Sequence, residues 1–173
     1  IKRCDLSNVD AYLLVTPLYA KPGKHVQIDW FSKLLEVTDK PCMLYNVPSR
    51  AGTKLHPEVP KVLSERFDNL MGVKEASGSV EEFKTFRETA PDVDFYSGDD
   101  ALTPAFADEG AKGLVSVASN IWPEATSKYL ELCLAGKQGG LKEIWLPAIE
   151  QLFNGPNPVP AKALMHYKKL IGT

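Results

Sequence analysis

Five short apolar runs alternate along the chain with longer segments of mixed polarity. Each run is rich in β-branched and aromatic residues, which is typical of a β-strand. The runs are AYLLVT from Ala11, PCMLYNV from Pro41, LMGVKEA from Leu70, VDFYSGD from Val93 and KGLVSVAS from Lys112. Between them, apolar residues recur with helical spacing, as at positions 28, 31, 34 and 35. Strand and helix thus alternate at intervals of about 19 to 30 residues, which predicts βαβ units and a parallel sheet.

One helix start is marked by the sequence Ser-Val-Glu-Glu from Ser79. A serine followed three residues later by a glutamate is the spacing of a capping box, in which each side chain accepts a hydrogen bond from the other residue's amide. We therefore predict a helix after Ser79, with Glu82 as its capping partner.

The strand pattern stops after Ala118, and three helical patterns follow at about residues 124–135, 141–153 and 160–170. The segment NGPNPVP, at 154–160, is rich in turn residues, and its prolines make a stiff connection. We predict two regions: a partial barrel at residues 1–122 and a C-terminal helical region at 123–173.

Two folds fit five consecutive βα steps, namely an open doubly wound sheet and part of a (β/α)8 barrel. The glycine fingerprints of dinucleotide and P-loop sites are missing from the sequence. Each predicted strand ends in polar residues, which a barrel would gather on the face where active sites lie. These residues are Thr16 and Tyr19, Tyr45 and Arg50, Lys74 and Glu75, Ser97 and Asp99, and Ser116 and Asn120. We predict an α/β chain that forms the later part of a (β/α)8 barrel, with about five parallel strands and C-terminal helices.

Composition narrows the classes of partner. The 173 residues carry a net charge of −2 without a block of basic residues, so a nucleic acid is not expected as a partner. No apolar run approaches the roughly 18 residues of a membrane span, and we expect a cytoplasmic protein. Cys4, Cys42 and Cys133 have no metal-site or disulfide spacing, so we expect buried, reduced thiols and no bound metal. Asp99 and Asp100 are interpreted as helix-cap residues rather than as magnesium ligands.

Lys74 is the first candidate for chemistry, because it lies inside an apolar strand. Removal from water lowers the pKa of a lysine and increases the neutral amine that can attack a ketone. Gly72 and Ala76 share its strand face and are expected to leave space over the amine. The alternative is a lysine at a strand end that reaches water or pairs with Glu75 or Asp99.

Tyr45 and Arg50 follow at the end of the preceding strand. In a barrel, Tyr45 and Lys74 would lie on neighbouring strands, and a phenol there can relay protons. Pro48 stiffens the turn before Arg50, whose guanidinium could bind a carboxylate through two parallel hydrogen bonds. Taken singly, Tyr45 also fits an aromatic residue at the core's edge, and Arg50 a solvated loop charge.

Six motifs of the chain resemble those of dihydrodipicolinate synthase, in the class I pyruvate aldolase superfamily that includes N-acetylneuraminate lyase. They are TPLYAKP, LYNVPSRAG, GVKEASG, YSGDD, GLVSVASN and GPNPVPAK, in this order. The resemblance implies that Lys74 forms an imine with pyruvate, that Tyr45 relays protons, and that Arg50 binds the carboxylate of aspartate semialdehyde. No cofactor is implied, and the product would enter lysine biosynthesis.

The resemblance also implies roles outside these three residues. Tyr19 is similar to a relay tyrosine that enters the site of an adjacent subunit, which implies a homodimer or homotetramer. Gly98 and Val115 match positions that line the pocket. Leu18 stands where many members carry a tyrosine linked to the lysine effector site, so feedback inhibition by lysine is not expected.

Two alternatives remain open from the sequence. A sister aldolase would keep the imine but act on a sugar acid. A non-catalytic half-barrel that binds a partner chain is the second, because the glycine-threonine-threonine motif of the family's early strands is not in the sequence. The first residue is not Met and a predicted strand follows closely, which suggests a fragment, a cleaved product or a partial sequence.

Overall fold

The computed structural model describes residues 8–172. These residues form two compact units, one ending at Tyr96 and the other beginning at Ser97. The boundary that we placed at residue 122 from the sequence stays a prediction.

A four-stranded sheet with the order β1-β2-β3-β4 organises the first unit. The β1–β2 and β2–β3 pairs are parallel, as predicted. The strands are β1 (Tyr12–Val15), β2 (Cys42–Asn46), β3 (Leu70–Glu75) and β4 (Phe95–Ser97). The helices between them are α1 (Lys24–Leu35), α2 (Pro48–Ala51), α3 (Glu58–Ser64) and α4 (Val80–Thr89).

In helix α1, the predicted apolar positions agree only in part with the buried ones. Phe31 and Leu35 are buried, as the spacing predicts, whereas Ile28 and Leu34 are only half-buried. The third buried position is occupied by Gln27, a polar residue. Its side chain is hydrogen-bonded to three main-chain groups, so its burial leaves no polar atom unsatisfied.

The predicted capping box before α4 forms only in part. Ser79 Oγ accepts a hydrogen bond from Glu82 N at 3.2 Å, which confirms Ser79 as the cap. The reciprocal bond is replaced, because Ser79 N donates to Ser77 Oγ and the Glu82 carboxylate pairs with Lys54. Below this cap, helix α4 and β4 form a buried aromatic cluster of Phe83, Phe86 and Phe95.

The second unit is mainly helical. Its helices are α5 (Thr103–Asp108), a 3₁₀ turn (Ala118–Asn120), α6 (Pro123–Leu134), α7 (Leu141–Leu152) and α8 (Val159–Tyr167). The last three agree with the sequence prediction to within a few residues. Tyr129 stacks on Trp145, with the ring centroids 4.5 Å apart, at the centre of the core that these helices share.

The fifth predicted strand is wrong. The segment from Lys112 makes a single bridge, between Leu114 and Ser97, flanked by two main-chain hydrogen bonds. It then leaves the ladder, because Ser116 Oγ and Val117 N both donate to the Asp100 carboxylate and the chain turns into the 3₁₀ helix. The described sheet therefore has four strands.

The structure also tests the expectations for the cysteines and for membrane-spanning helices. Cys42 and Cys133 are buried free thiols, as predicted, and Cys4 lies outside the described residues. Within residues 8–172, no helix combines the length and the apolar composition that a membrane crossing needs.

Candidate active site

Tyr45 and Lys74 face each other across the β2–β3 pair. Tyr45 is the register partner of Lys74 and is flanked on its other side by Val15 of β1. Partner residues on neighbouring parallel strands project to the same side of the sheet. Lys74 Nζ lies over the Tyr45 ring, 4.3 Å from its centroid, which is within cation–π distance. The structure thus brings these two predicted residues into contact.

A β-bulge makes this meeting possible. Cys42 is opposite Leu70, but Met43 is opposite Gly72, so Met71 is an extra residue in β3. If the pairing had continued without a shift from Cys42 and Leu70, Tyr45 would be opposite Val73, and the lysine would project from the other side of the sheet. The bulge therefore sets the side on which Lys74 lies.

Gly72 lies where β4 approaches β3 closely. A Cβ atom built at Gly72 would lie 2.5 Å from the Asp94 carbonyl oxygen and 3.2 Å from Cε2 of Tyr96. The expectation that this glycine leaves space over the amine stays a prediction. Its missing side chain lets β4 approach closely, and Val73 N donates to the same Asp94 oxygen at 2.9 Å.

Arg50 lies close enough to Tyr45 to act on its charge. Burial raises the pKa of the Tyr45 phenol above its ordinary value, and the positive charge of Arg50 opposes part of that rise. Arg50 is exposed and lies in the single-turn helix α2 (Pro48–Ala51), which is followed by Gly52 as a C-cap residue in the left-handed conformation. The proline-stiffened turn predicted from the sequence is this helix.

Tyr19 lies on the loop between β1 and α1 and is 95% exposed. Its φ angle is 69°, an uncommon value for a residue with a side chain. Its main-chain N–H donates to the carbonyl oxygen of Ala51, 3.3 Å away, so the loop is fastened to helix α2. The loop thus lies beside the helix that carries Arg50.

Gly98 and Val115 are both next to Ser97 in the second unit, Gly98 in sequence and Val115 through a hydrogen bond. Gly98 directly follows β4, and Val115 N donates to the carbonyl oxygen of Ser97 at 2.8 Å. Next to them, Asp99 Oδ1 accepts hydrogen bonds from the amides of Ala101 and Leu102 in the turn before α5. The interpretation of Asp99 and Asp100 as helix-cap residues is wrong, because the N-cap residue of α5 is Leu102 and the Asp100 carboxylate accepts from Ser116 and Val117. The pocket-lining role of Gly98 and Val115 stays a prediction.

The sequence reasoning missed a buried polar pair, Asn46 and Glu75, at the ends of β2 and β3. Both side chains are fully buried, and Asn46 Nδ2 donates to Glu75 Oε2 at 2.6 Å. Glu75 projects from the side of β3 opposite to Lys74, which leaves the predicted alternative of a Lys74–Glu75 pair without support from the strand geometry. The period-two pattern held a signal, because Asn46 follows Cys42 and Leu44 on the buried face.

In the part of the chain that the structure describes, no group of three histidine, cysteine or acidic side chains has the spacing to hold a metal ion.

Comparison with known proteins links this geometry to a family. The model of the dihydrodipicolinate synthetase family matches residues 2–172. The 4-hydroxy-tetrahydrodipicolinate synthase of Francisella philomiragia is 47% identical over 174 aligned positions, which cover 100% of this chain and 59% of the relative.

Solved structures give the same result. The 4-hydroxy-tetrahydrodipicolinate synthase of Methylacidiphilum fumariolicum SolV matches with a TM-score of 0.89 and 38% identity, over 95% of this chain and 56% of that one. The chloride-inhibited dihydrodipicolinate synthase of Acinetobacter baumannii, solved with pyruvate, matches with a TM-score of 0.87 and 33% identity, over 95% and 57%. The prediction of a partial (β/α)8 barrel is confirmed, and the chain spans less than three fifths of the length of these relatives.

Proposed function

The chain belongs to the dihydrodipicolinate synthetase family, and from that premise we propose that the complete protein containing it condenses pyruvate with aspartate semialdehyde through a Schiff base on Lys74. The observation that carries the proposal is the position of Lys74 Nζ over the Tyr45 ring, 4.3 Å from the centroid. The reaction belongs to the biosynthesis of lysine in the cytoplasm.

Lys74 supplies the covalent step. Its neutral amine adds to the C2 carbonyl of pyruvate, and loss of water from the resulting carbinolamine gives a protonated imine. The imine is an electron sink, so a proton leaves C3 and an enamine forms. The enamine carbon then attacks the aldehyde carbon of the semialdehyde and forms the new carbon–carbon bond. The lysine itself stabilises the carbanion, so this chemistry needs neither a cofactor nor a metal.

Tyr45 moves protons in this sequence. A phenol beside the amine can deliver the proton that the departing hydroxyl of the carbinolamine needs. Burial holds the Tyr45 pKa above its ordinary value of 10.0, so the phenol is protonated near neutral pH and is ready to donate. Tyr19, which is exposed and fastened to helix α2, is proposed to extend the relay into the site of an adjacent subunit of a homodimer or homotetramer.

Arg50 is proposed to select the second substrate. Its exposed guanidinium lies within electrostatic range of Tyr45, where it can hold a carboxylate through two parallel hydrogen bonds. Gly98 and Val115 are proposed to line the pocket, with the glycine leaving main-chain groups open to the substrate.

A substrate comparison tests the proposal. The complete natural polypeptide that contains these residues is assayed at steady state with pyruvate and either aspartate semialdehyde or an aldehyde derived from a sugar acid. Turnover of the semialdehyde supports the proposal. Turnover of the sugar aldehyde alone would replace it with the sister aldolase.

The second alternative is a non-catalytic half-barrel that binds a partner chain. Size measurement separates this alternative from the enzyme. A 173-residue chain that is a stable monomer and shows no turnover would support the non-catalytic role for the chain by itself.

A further inference from the structure

Asn46 and Glu75 form a buried polar pair directly after the two residues that carry the proposed chemistry. The register places Asn46 opposite Glu75, one step beyond Tyr45 and Lys74. Successive residues of a strand project to opposite sides, so the pair lies behind the Tyr45–Lys74 contact. Both side chains have 0% exposure.

The side chains of the buried polar pair are hydrogen-bonded to each other and to two main-chain amides. Asn46 Nδ2 donates to Glu75 Oε2 at 2.6 Å, and Asn46 Oδ1 accepts from Leu55 N at 2.9 Å. Glu75 Oε1 accepts from Ser77 N at 2.6 Å. All four side-chain polar atoms of the pair thus have a hydrogen-bond partner in a position that excludes water.

These bonds reach the two segments that border the proposed site. The Leu55 bond closes the segment at 47–55, which follows β2, includes helix α2 with Arg50 and is called the Arg50 loop below. The Ser77 bond fixes the turn after β3, and Ser77 Oγ then accepts from Ser79 N at the cap of α4. One pair therefore joins the end of β2, the end of β3 and the Arg50 loop.

The arrangement is costly for stability. Burying a carboxylate is unfavourable, and burial raises the pKa of Glu75 even though Ser77 and Asn46 donate to it. A well-packed apolar pair would often stabilise a protein as well or better. What directed hydrogen bonds add is a single allowed register between the two strands.

We propose that Asn46 and Glu75 are positioning residues for Lys74, holding Tyr45 against it and holding the Arg50 loop closed. The inference rests on the proposed function, because it assumes that the Lys74 amine reacts with pyruvate. Neither residue touches the substrate in this account.

The first test breaks one bond without changing the size of the side chain. In a Glu75→Gln variant, the new amide can turn its oxygen toward Ser77 N or toward Asn46 Nδ2, and its NH2 group opposes the other donor. The measured quantity is the rate at which pyruvate and borohydride form a reduced adduct at Lys74. We expect a loss on the order of 100-fold, because small misplacements of reacting groups have effects of this size. The loss should appear in the maximal rate rather than in the pyruvate concentration that gives half of it.

The second test restores the bonds by exchanging the two functional groups. In the double variant Asn46→Asp with Glu75→Gln, the new carboxylate accepts from Leu55 N and from the new amide NH2, and the amide oxygen accepts from Ser77 N. All three bonds are possible again, with the charge moved to β2. We expect the rate to return to within roughly threefold of the natural protein. The single variant Asn46→Asp, which opposes two carboxylates, should stay slow.

An Asn69→Ala variant is the matched control. Asn69 directly precedes β3, and its Nδ2 donates to the carbonyl oxygens of Leu35 and Thr38, so its loss removes two hydrogen bonds at the other end of the same strand. We expect lower stability but a natural adduct rate in the folded protein. Folding of every variant is checked by circular dichroism.

The outcomes separate the two claims. If the natural protein forms no adduct at Lys74, the proposed function fails and the inference fails with it. If the natural protein reacts and the single variants react equally fast, or the double variant stays slow, the inference alone is overturned. If a single variant does not fold, the folded double variant decides, since a natural rate supports positioning by hydrogen bonds and a slow rate refutes it.

Discussion

Gly72→Ala is the substitution for which the structure gives the clearest expectation. The added Cβ atom would lie 2.5 Å from the Asp94 carbonyl oxygen, well inside van der Waals contact. That oxygen cannot withdraw freely, because it also accepts the hydrogen bond from Val73 N. The φ angle of Gly72, 152°, is in addition one that residues with a side chain rarely adopt.

The magnitude follows from these two effects. Forcing one extra carbon into a packed position costs about 1–3 kcal/mol, and holding a residue other than glycine in a sparsely populated conformation costs about 1–3 kcal/mol more. The sum, roughly 2–6 kcal/mol, is a large part of the 5–15 kcal/mol that ordinarily stabilises a domain. The same displacement would move β3 against β4 two residues before Lys74.

Urea unfolding followed by circular dichroism measures this loss, with Gly78→Ala as the matched control. Gly78 also has a positive φ, 80°, but a Cβ atom there meets nothing within 4 Å. The control should lose only the conformational part, about 1–3 kcal/mol. If Gly72→Ala is no less stable than Gly78→Ala, the close approach of β4 is not what requires the glycine.

Three further predictions concern the site. Tyr45→Phe should lower kcat by about 10²- to 10⁴-fold through loss of the phenolic proton; an unchanged kcat in a steady-state assay would remove Tyr45 from the relay. Arg50→Lys should raise KM for the semialdehyde by roughly tenfold, because a lysine cannot make the bidentate contact. The rate of adduct formation with pyruvate should stay equal to that of the natural protein. An equal loss in both assays would contradict a role in selecting the second substrate. Burial raises the pKa of Glu75, so the folded protein holds the carboxyl proton more tightly than the unfolded chain does, and the free energy of unfolding should fall as pH rises from about 4.5 through the raised pKa. Urea unfolding at several pH values measures this fall, and the Glu75→Gln variant should lack the part that Glu75 contributes. If the variant shows the same pH dependence as the natural protein, Glu75 is not its source.

The parts of the fold that sequence reasoning predicted depend on local patterns. The strands around Leu14, Leu44 and Val73 are short apolar runs, and these three residues are buried in the structure. The three C-terminal helices have apolar stripes of helical period, so their positions could be predicted to within a few residues. The absence of a fifth strand could not be predicted, because the segment from Lys112 is turned away by hydrogen bonds from Ser116 and Val117 to Asp100, which is distant in sequence.

The site shows the same division. A lysine in an apolar strand and a tyrosine at the end of the preceding strand are visible in the sequence, and the structure places them together. The bulge at Met71, which sets the side of Lys74, has no reliable local signature, since it arises from the pairing with β2. The close approach of β4 to Gly72 could not be predicted for a similar reason, because what a missing side chain makes room for depends on the neighbouring strand.

The most direct test of the central claim is to identify the residue that reacts with pyruvate. The complete natural polypeptide is incubated with pyruvate, reduced with borohydride, digested and analysed by mass spectrometry. The account predicts a single modified residue, Lys74, and loss of both the adduct and carbon–carbon bond formation in the Lys74→Arg variant. An adduct on another lysine, or condensation that survives Lys74→Arg, would contradict it.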